Sequence, residues 1–412
     1  MHRMRLLKGK KGYAEFAKRV GLSHMETESR LRALKRSYMP FQVTDSYTSL
    51  IERLCGDDKS NLINIVTPFE GSAPFKGRFD PYGNVTARQD HAWFLQHKYE
   101  PTLLVHIADY CISNCQFCYK VHEIRHEEKD AESISRRVDA ALAYIDAHPQ
   151  INNVLLTGGD PVALKPEVLI NCMERLLSKN NIRLVRLATK AVVFDPTWML
   201  ASPIMEFLSR SNSRSGKQIS VIAQINHPAE FSDDARTLLD KLTAFGIQIR
   251  GQPTIASGIN VSPDTLFRLH QIYIDHRIIP YYFTVFMPVR GVEQYAVELH
   301  VAFRAIAEAK KYLSGLEKKS VLLASHDFGK FEICGFLPDA INPRSIILKW
   351  HQAAMPSLLP NCIRGRIPSS PEDVLVLKYL SGKVYCIDQL FAINGLPYFT
   401  SDGTLQEKES VP

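Results

Sequence analysis

Between about residue 100 and residue 320 the chain alternates short apolar runs with amphipathic stretches at helical spacing. No other feature restricts the fold as much. The apolar runs fall at 103–108, 153–156, 184–188, 219–225, 247–253 and 279–284. Between the first two, Ile134, Val138, Ala141, Leu142 and Ile145 recur on one face over residues 131–148, and Pro149 stops the helix. Ser232 ahead of Asp233 and Asp234 reads as an N-cap with an acidic first turn. Ser262 followed by Pro263 reads as a cap with proline at the first helical position. Strand starts recur at roughly 30- to 50-residue intervals, as parallel βαβ units require. Six such units, with a long helix expected at 292–313 after the last, are too few for a closed eight-fold barrel. They predict an α/β fold, an open, partial six-stranded parallel β/α barrel with its functional residues at the C-terminal strand ends.

The flanks read differently. Residues 1–95 predict a helical N-terminal region, with periodic segments at 27–38 and 45–54 and a Gly/Pro-rich loop at 67–84. Residues 96–320 hold the barrel, and periodicity weakens over 321–412, a C-terminal extension of mixed structure. The 412 residues are 45% hydrophobic and 23% charged, enough for a sizeable core. No apolar run approaches the ~18 residues of a membrane span, and the basic start lacks an apolar signal stretch; a cytoplasmic protein is expected. The net charge of 50 − 43 = +7 is spread out, with Lys8, Lys10 and Lys11 reading as a solvated face. No basic stripe is interleaved with aromatics, so no nucleic-acid partner is expected.

Eight cysteines are too sparse for a disulfide scaffold. Three of them, Cys111, Cys115 and Cys118, fall within eight residues directly after the first apolar run. Such clusters of thiolates bind cubane iron–sulfur groups, which normally take four cysteines. With three ligands one iron stays open to bind and reduce a ligand. A fourth thiolate from Cys172 or Cys334 would close the cluster and leave an electron-transfer centre. A Cys₃His zinc site is the other alternative, although structural zinc usually pairs its ligands in two knuckles and no second CxxC occurs. At the end of the second apolar run stand Gly158, Gly159 and Asp160, where backbone can approach a ligand or simply make a tight turn.

CxxxCxxC in the loop after the first strand of such an array resembles the radical S-adenosylmethionine superfamily. LQHKY at 95–99, the cysteine loop, VLLTGGDP at 154–161, QINHP at 224–228, GQPTI at 251–255 and IPYY at 279–282 occur in order. Together they resemble the lysine 2,3-aminomutase family over roughly residues 40–335. The resemblance implies a [4Fe–4S] cluster on Cys111, Cys115 and Cys118, with S-adenosyl-L-methionine held by the Gly158–Gly159–Asp160 turn, His227 and Gln252. It also implies pyridoxal 5′-phosphate and migration of an amino group from the α to the β carbon of an amino acid. Lys98, in place of the family's arginine, and Tyr99 are the implied pyridoxal phosphate contacts, while Thr102 stands where a second phosphate arginine belongs. Lys120 aligns with the arginine that holds the substrate carboxylate; Arg to Lys loses the bidentate fork and keeps the charge. Lys330 is the implied anchor lysine, after a segment with a single glycine. The two aspartates that grip the remote ammonium of lysine align with Met287 and near Ala324 or Ser325, with Asp327 close by. An amino acid other than free lysine is therefore expected as substrate. A flavodoxin or ferredoxin is the expected electron donor, and a homo-oligomer is compatible with the reading. A radical enzyme without pyridoxal phosphate, an oxidoreductase or lyase, is the alternative. A non-enzymatic metal-binding module is the third reading.

Overall fold

The computed structural model describes residues 4–71, 73–84, 87–89, 92–124, 130–211, 216–337, 344–364 and 374–407. Strands β1 (Thr102–Ala108), β2 (Asn153–Gly158), β3 (Leu184–Thr189) and β4 (Gln218–Ala223) lie side by side and parallel. β5 (Gln248–Gly251, continued by Thr254–Ile255) and β6 (Ile279–Pro280, continued by Tyr282–Val285) follow in the same sense. Each is interrupted once, at Gln252–Pro253 and at Tyr281. These breaks divide the hydrogen-bond ladder into sheets of eight and six strands.

A seventh strand, β7 (Val321–His326), runs parallel to β6, so the array has seven parallel strands rather than the six expected. Its apolar residues form an unbroken run, as in a strand covered on both faces, and give no alternation to read. The sheet thus continues past residue 320. From there β8 (Gly329–Leu337), β9 (Ser345–Ala353) and β10 (Val374–Lys378) are antiparallel. At the other edge, Ala92–Tyr99 runs antiparallel to β1. The end of β9 swings across the opening, where Met355 N donates to the Lys98 carbonyl at 2.9 Å.

The crossover helices cover the outside. Helix Ala131–Ala147 starts at Asp130, whose carboxylate accepts from Ser133 N, and buries Ile134, Val138, Ala141 and Ile145. Helix Asp233–Ala244 is capped by Ser232, as its sequence implies. The expected helix at 292–313 is shorter, Leu299–Lys310, because Ala296 and Glu298 are extended and the Glu298 carboxylate is drawn out to Tyr379 and Gly382. Val154, Leu156, Val185, Leu187 and Val221, on the strand face turned to these helices and away from the cavity, are fully buried. Truncating Leu156 or Leu187 to Ala costs about 2–5 kcal/mol.

The N-terminal region folds as helices Gly9–Val20, His24–Arg36, Asp45–Glu52 and Gly56–Val66, with Leu6–Lys8 paired to Gln42–Thr44. Among the described residues no helix is long and apolar enough to cross a membrane.

Candidate functional site

One cavity of about 800 Å³ runs through the barrel. Seven residues of β1 at ~3.3 Å each set its two ends roughly 20 Å apart. Cys111, Cys115 and Cys118 line the end formed by the C-terminal strand tips. The N-terminal region holds their loop in place. Asn114 N donates to the Gln42 carbonyl at 2.9 Å, Gln116 N to the Ile65 carbonyl at 2.8 Å, and Gln42 Nε2 to the Cys111 carbonyl at 2.6 Å. Arg137 clamps Asp109 at the loop's entry with two hydrogen bonds of 2.9 and 2.7 Å.

Burial pushes all three thiols up, Cys115 to about 12 and Cys118 to about 11, while Lys190 and Lys120 pull Cys115 and Cys118 respectively the other way. Binding an electrophilic metal reverses that penalty by releasing the protons. Among the described residues no three His, Cys, Asp or Glu side chains converge closely enough to hold one ion. Ligands of a single tetrahedral zinc would stand roughly 4 Å from one another. Three thiols spread along one wall suit a cluster, in which each takes a different iron. Cys172 is buried on helix Pro166–Leu177 and Cys334 is exposed on β8; neither lines the cavity. The donor set fits an iron–sulfur cluster with one open iron.

The glycine pair is required by close packing. Gly158 has φ +117°, and a Cβ there would lie 2.2 Å from the Ala108 carbonyl oxygen; one on Gly159 would lie 2.1 Å from that of Tyr110. Gly159 N donates to Ala108 O at 2.7 Å and Asp160 N to Tyr110 O at 3.0 Å. The amides are therefore engaged by the start of the cysteine loop. An incoming ammonium group, which only donates, would be met here by carbonyl oxygens. The Asp160 carboxylate is also occupied, accepting from Val162 N, Lys190 N and Thr189 Oγ1 at 2.9–3.0 Å. It ties the tip of β2 to that of β3. Gln252 lies on the wall.

His227 does not. It is fully buried behind the wall, its Nδ1 accepting from Ala229 N, and burial pulls its pKa down to about 4. The neighbouring Asn226 lines the cavity in its place. Beside it, Lys190 pairs with the buried Glu230 at 2.5 Å, and Glu230 accepts from Tyr47 and from the amides of Asn226 and His227.

The opposite end is lined by Lys98, Tyr99, Thr102, Arg186, Arg250, Tyr281, Tyr282, Lys330, His351 and Gln352. Lys330 sits between two aromatic faces, Nζ 4.5 Å from the Tyr99 ring centre and 5.0 Å from that of Tyr282, and donates to Gln352 Oε1 at 2.8 Å. Burial, then the charges of Arg186 and Lys98, pull its ammonium down to about 7. Lys98 falls to about 8 through burial, and donates to the carbonyls of Tyr82 at 2.7 Å and His326 at 2.5 Å. Lys120, towards the cysteine end, is buried with its amine 3.1 Å from Thr157 Oγ1 near the tip of β2, and burial lowers its pKa.

Met287 and Asp327 are not on the wall. Met287 is buried behind it, whereas Phe286 faces in. Asp327 is held by Arg78. Arg186, Arg250 and Lys190 were not singled out from the sequence. The available signal was an arginine inside an otherwise apolar strand, LVRLAT and QIRG, where a charge has no structural use.

No protein-family model matches the chain. It is 29% identical over 318 residues to a protein of Aquifex aeolicus (strain VF5) provisionally named an L-lysine 2,3-aminomutase, covering 77% of this chain and 82% of that one. It is 25% identical over 379 residues to the L-lysine 2,3-aminomutase of Fusobacterium nucleatum, covering 91% and 86%. It is 23% identical over 276 residues to the glutamate 2,3-aminomutase of Clostridioides difficile (strain 630), covering 66% and 62%. Among solved structures, Streptococcus suis SuiB superposes on 55% of this chain and 49% of its own, with 16% identity and a TM-score of 0.41. The resemblance read from the ordered motifs is borne out in sequence: the chain is similar to L-lysine 2,3-aminomutases over much of its length.

Proposed function

We propose that this aminomutase-like chain is a pyridoxal phosphate-dependent radical S-adenosylmethionine enzyme that moves an amino group from the α to the β carbon of an amino acid other than free lysine. The observation that carries this is the charge of the wall. Lys98, Lys120, Arg186, Arg250 and Lys330 line it, and Asp160 is the one carboxylate on it among the described residues. Buried cations without carboxylates are costly, and they favour anionic ligands: a phosphate, and the carboxylates of S-adenosylmethionine and of an amino acid.

The residues divide the work by position. Cys111, Cys115 and Cys118 hold the cluster, with the Gly158–Gly159 turn and Gln252 beside it for S-adenosylmethionine. Lys120 attracts the substrate carboxylate near the cysteine end, and Lys330, with a neutral amine available near pH 7, is the anchor for the cofactor carbonyl. The bound groups would supply a hydrogen-abstracting carbon radical at one end and an imine-forming carbonyl at the other. Tyr99 and Tyr282 flank Lys330 and keep water from it. A substrate with a remote ammonium finds no free carboxylate, because both oxygens of Asp160 are taken. A ferredoxin or flavodoxin is the proposed reductant.

Anaerobic reconstitution followed by an amino-acid panel read by mass spectrometry tests this. Iron bound by the wild type and lost in the Cys111→Ala, Cys115→Ala, Cys118→Ala variant, together with a β-amino acid product, supports it. A wild type that binds iron and cleaves S-adenosylmethionine yet takes up no pyridoxal phosphate at saturation would move the reading to a pyridoxal-free radical enzyme.

A further inference from the structure

We propose that Arg186 is the phosphate-binding residue of the cavity's lower end, taking over from the arginine that Thr102 replaces. This rests on the pyridoxal phosphate reading above. Arg186 is the third residue of β3 and lines the cavity. Its Nη2 donates to Asn153 Oδ1 at 2.7 Å, and the same oxygen accepts from Thr102 Oγ1 at 3.1 Å. Asn153 is itself oriented by donating Nδ2 to the Pro101 carbonyl at 2.8 Å. One amide thus connects the position lacking an arginine to the arginine present two strands away.

The guanidinium is otherwise unsatisfied. Its Nε is buried without a hydrogen-bond partner, and among the described residues Arg186 enters no ion pair. The two fully buried arginines among the described residues have carboxylates, Arg78 with Asp327 and Asp388 and Arg137 with Asp109, and partly buried Arg30 has three hydrogen bonds, to Thr67 and Asn64. A guanidinium held in place by one neutral amide, with donors left over, is a site prepared for an oxyanion. A phosphate monoester fits better than a carboxylate, since the site lies beside Lys330, where the cofactor would be tethered, and Lys120 serves the substrate carboxylate higher up. Lys98 cannot take this role alone, because two of its three donors go to the Tyr82 and His326 carbonyls.

The test is anaerobic titration of the apoprotein with pyridoxal phosphate, pyridoxal and inorganic phosphate, read by near-visible absorbance and by the borohydride-trapped mass at Lys330. Wild type should prefer the phosphorylated aldehyde roughly 10- to 100-fold, the range of a lost charge-assisted hydrogen bond. Arg186→Gln should lose most of that preference while binding pyridoxal as wild type does, and inorganic phosphate should cease to compete. Arg186→Lys and Asn153→Ala should each give a partial loss, and they carry the test if Arg186→Gln does not fold. A preference that survives in the Gln variant, or in both of the others, overturns the assignment. So does a weakened affinity for amino acids with the preference intact, which would make Arg186 a substrate residue. A wild type that binds neither aldehyde sinks the cofactor reading itself.

Discussion

Arg78 meets Asp327 through two hydrogen bonds, Nη1 to Oδ2 at 2.7 Å and Nη2 to Oδ1 at 3.0 Å, with both side chains buried. Asp388 adds a third oxygen at 3.1 Å and also accepts from Phe399 N, so the group binds the loop before the barrel to the end of β7 and to the C-terminal helix Ile387–Ala392. Asp327→Asn leaves a buried guanidinium with one carboxylate in place of two. Breaking such a pair costs about 3–5 kcal/mol. Denaturant titration should show a loss at or below the lower end of that range, because Asp388 remains. The relative rates with different amino acids should not change; a changed preference would put Asp327 in the substrate site.

Met287→Asp should not confer lysine turnover. The side chain lies behind the wall, so a carboxylate there would be buried without a partner instead of meeting a substrate. The expected outcome is a loss of several kcal/mol in stability. A gain in lysine turnover with an intact fold would show that Met287 reaches the cavity.

Lys330 is predicted to make stability pH-dependent. Its folded pKa, about 7, lies below its ordinary 10.5, so between those values the unfolded chain binds more protons and stability from this group rises with pH. The groups facing it are Arg186, Lys98, His351, the Tyr99 and Tyr282 phenols, and Gln352; Glu332 reaches His351. Lys330→Met removes the penalty. It should stabilise the apoprotein by up to roughly 4 kcal/mol at pH 7, with the advantage fading towards pH 10.5. An equal difference at both pH values would mean the amine is not desolvated.

Gly159→Ala should lower the iron content. Its Cβ would press on the Tyr110 carbonyl, one residue before Cys111. Relief requires the cysteine loop to shift against an anchored N-terminal region. Iron per chain after anaerobic reconstitution should fall severalfold while far-ultraviolet circular dichroism stays that of wild type. Unchanged iron would show the loop can give way at no cost to the cluster.

The parts of this molecule that the sequence revealed are those in which chemistry demands residue types at short, fixed spacing. The cysteine loop, the glycine turn and the Ser232 cap are of that kind, whereas Ser262 makes no capping hydrogen bond. What alignment with a family cannot supply is direction. Along a strand or its extended tip, neighbouring side chains point to opposite faces, so a shift of one residue exchanges wall for core. Asn226 and Phe286 face the cavity while His227 and Met287 do not. Arg186 escaped for a different reason: its strand is legible, but its unpaired guanidinium appears only when Asn153 is seen beside it.

The hydrogen bond from Met355 N to the Lys98 carbonyl has a consequence for biogenesis. A ribosome delivers the cysteines, the glycine turn and the first six parallel strands before it reaches residue 321. Lys330 and the β8–β9 hairpin come afterwards. The thiols are thus in place on a nascent chain, while the opposite end of the cavity has no enclosure until residue 355 has emerged. On the proposed function, the two ends would mature in that order, metal first and aldehyde second.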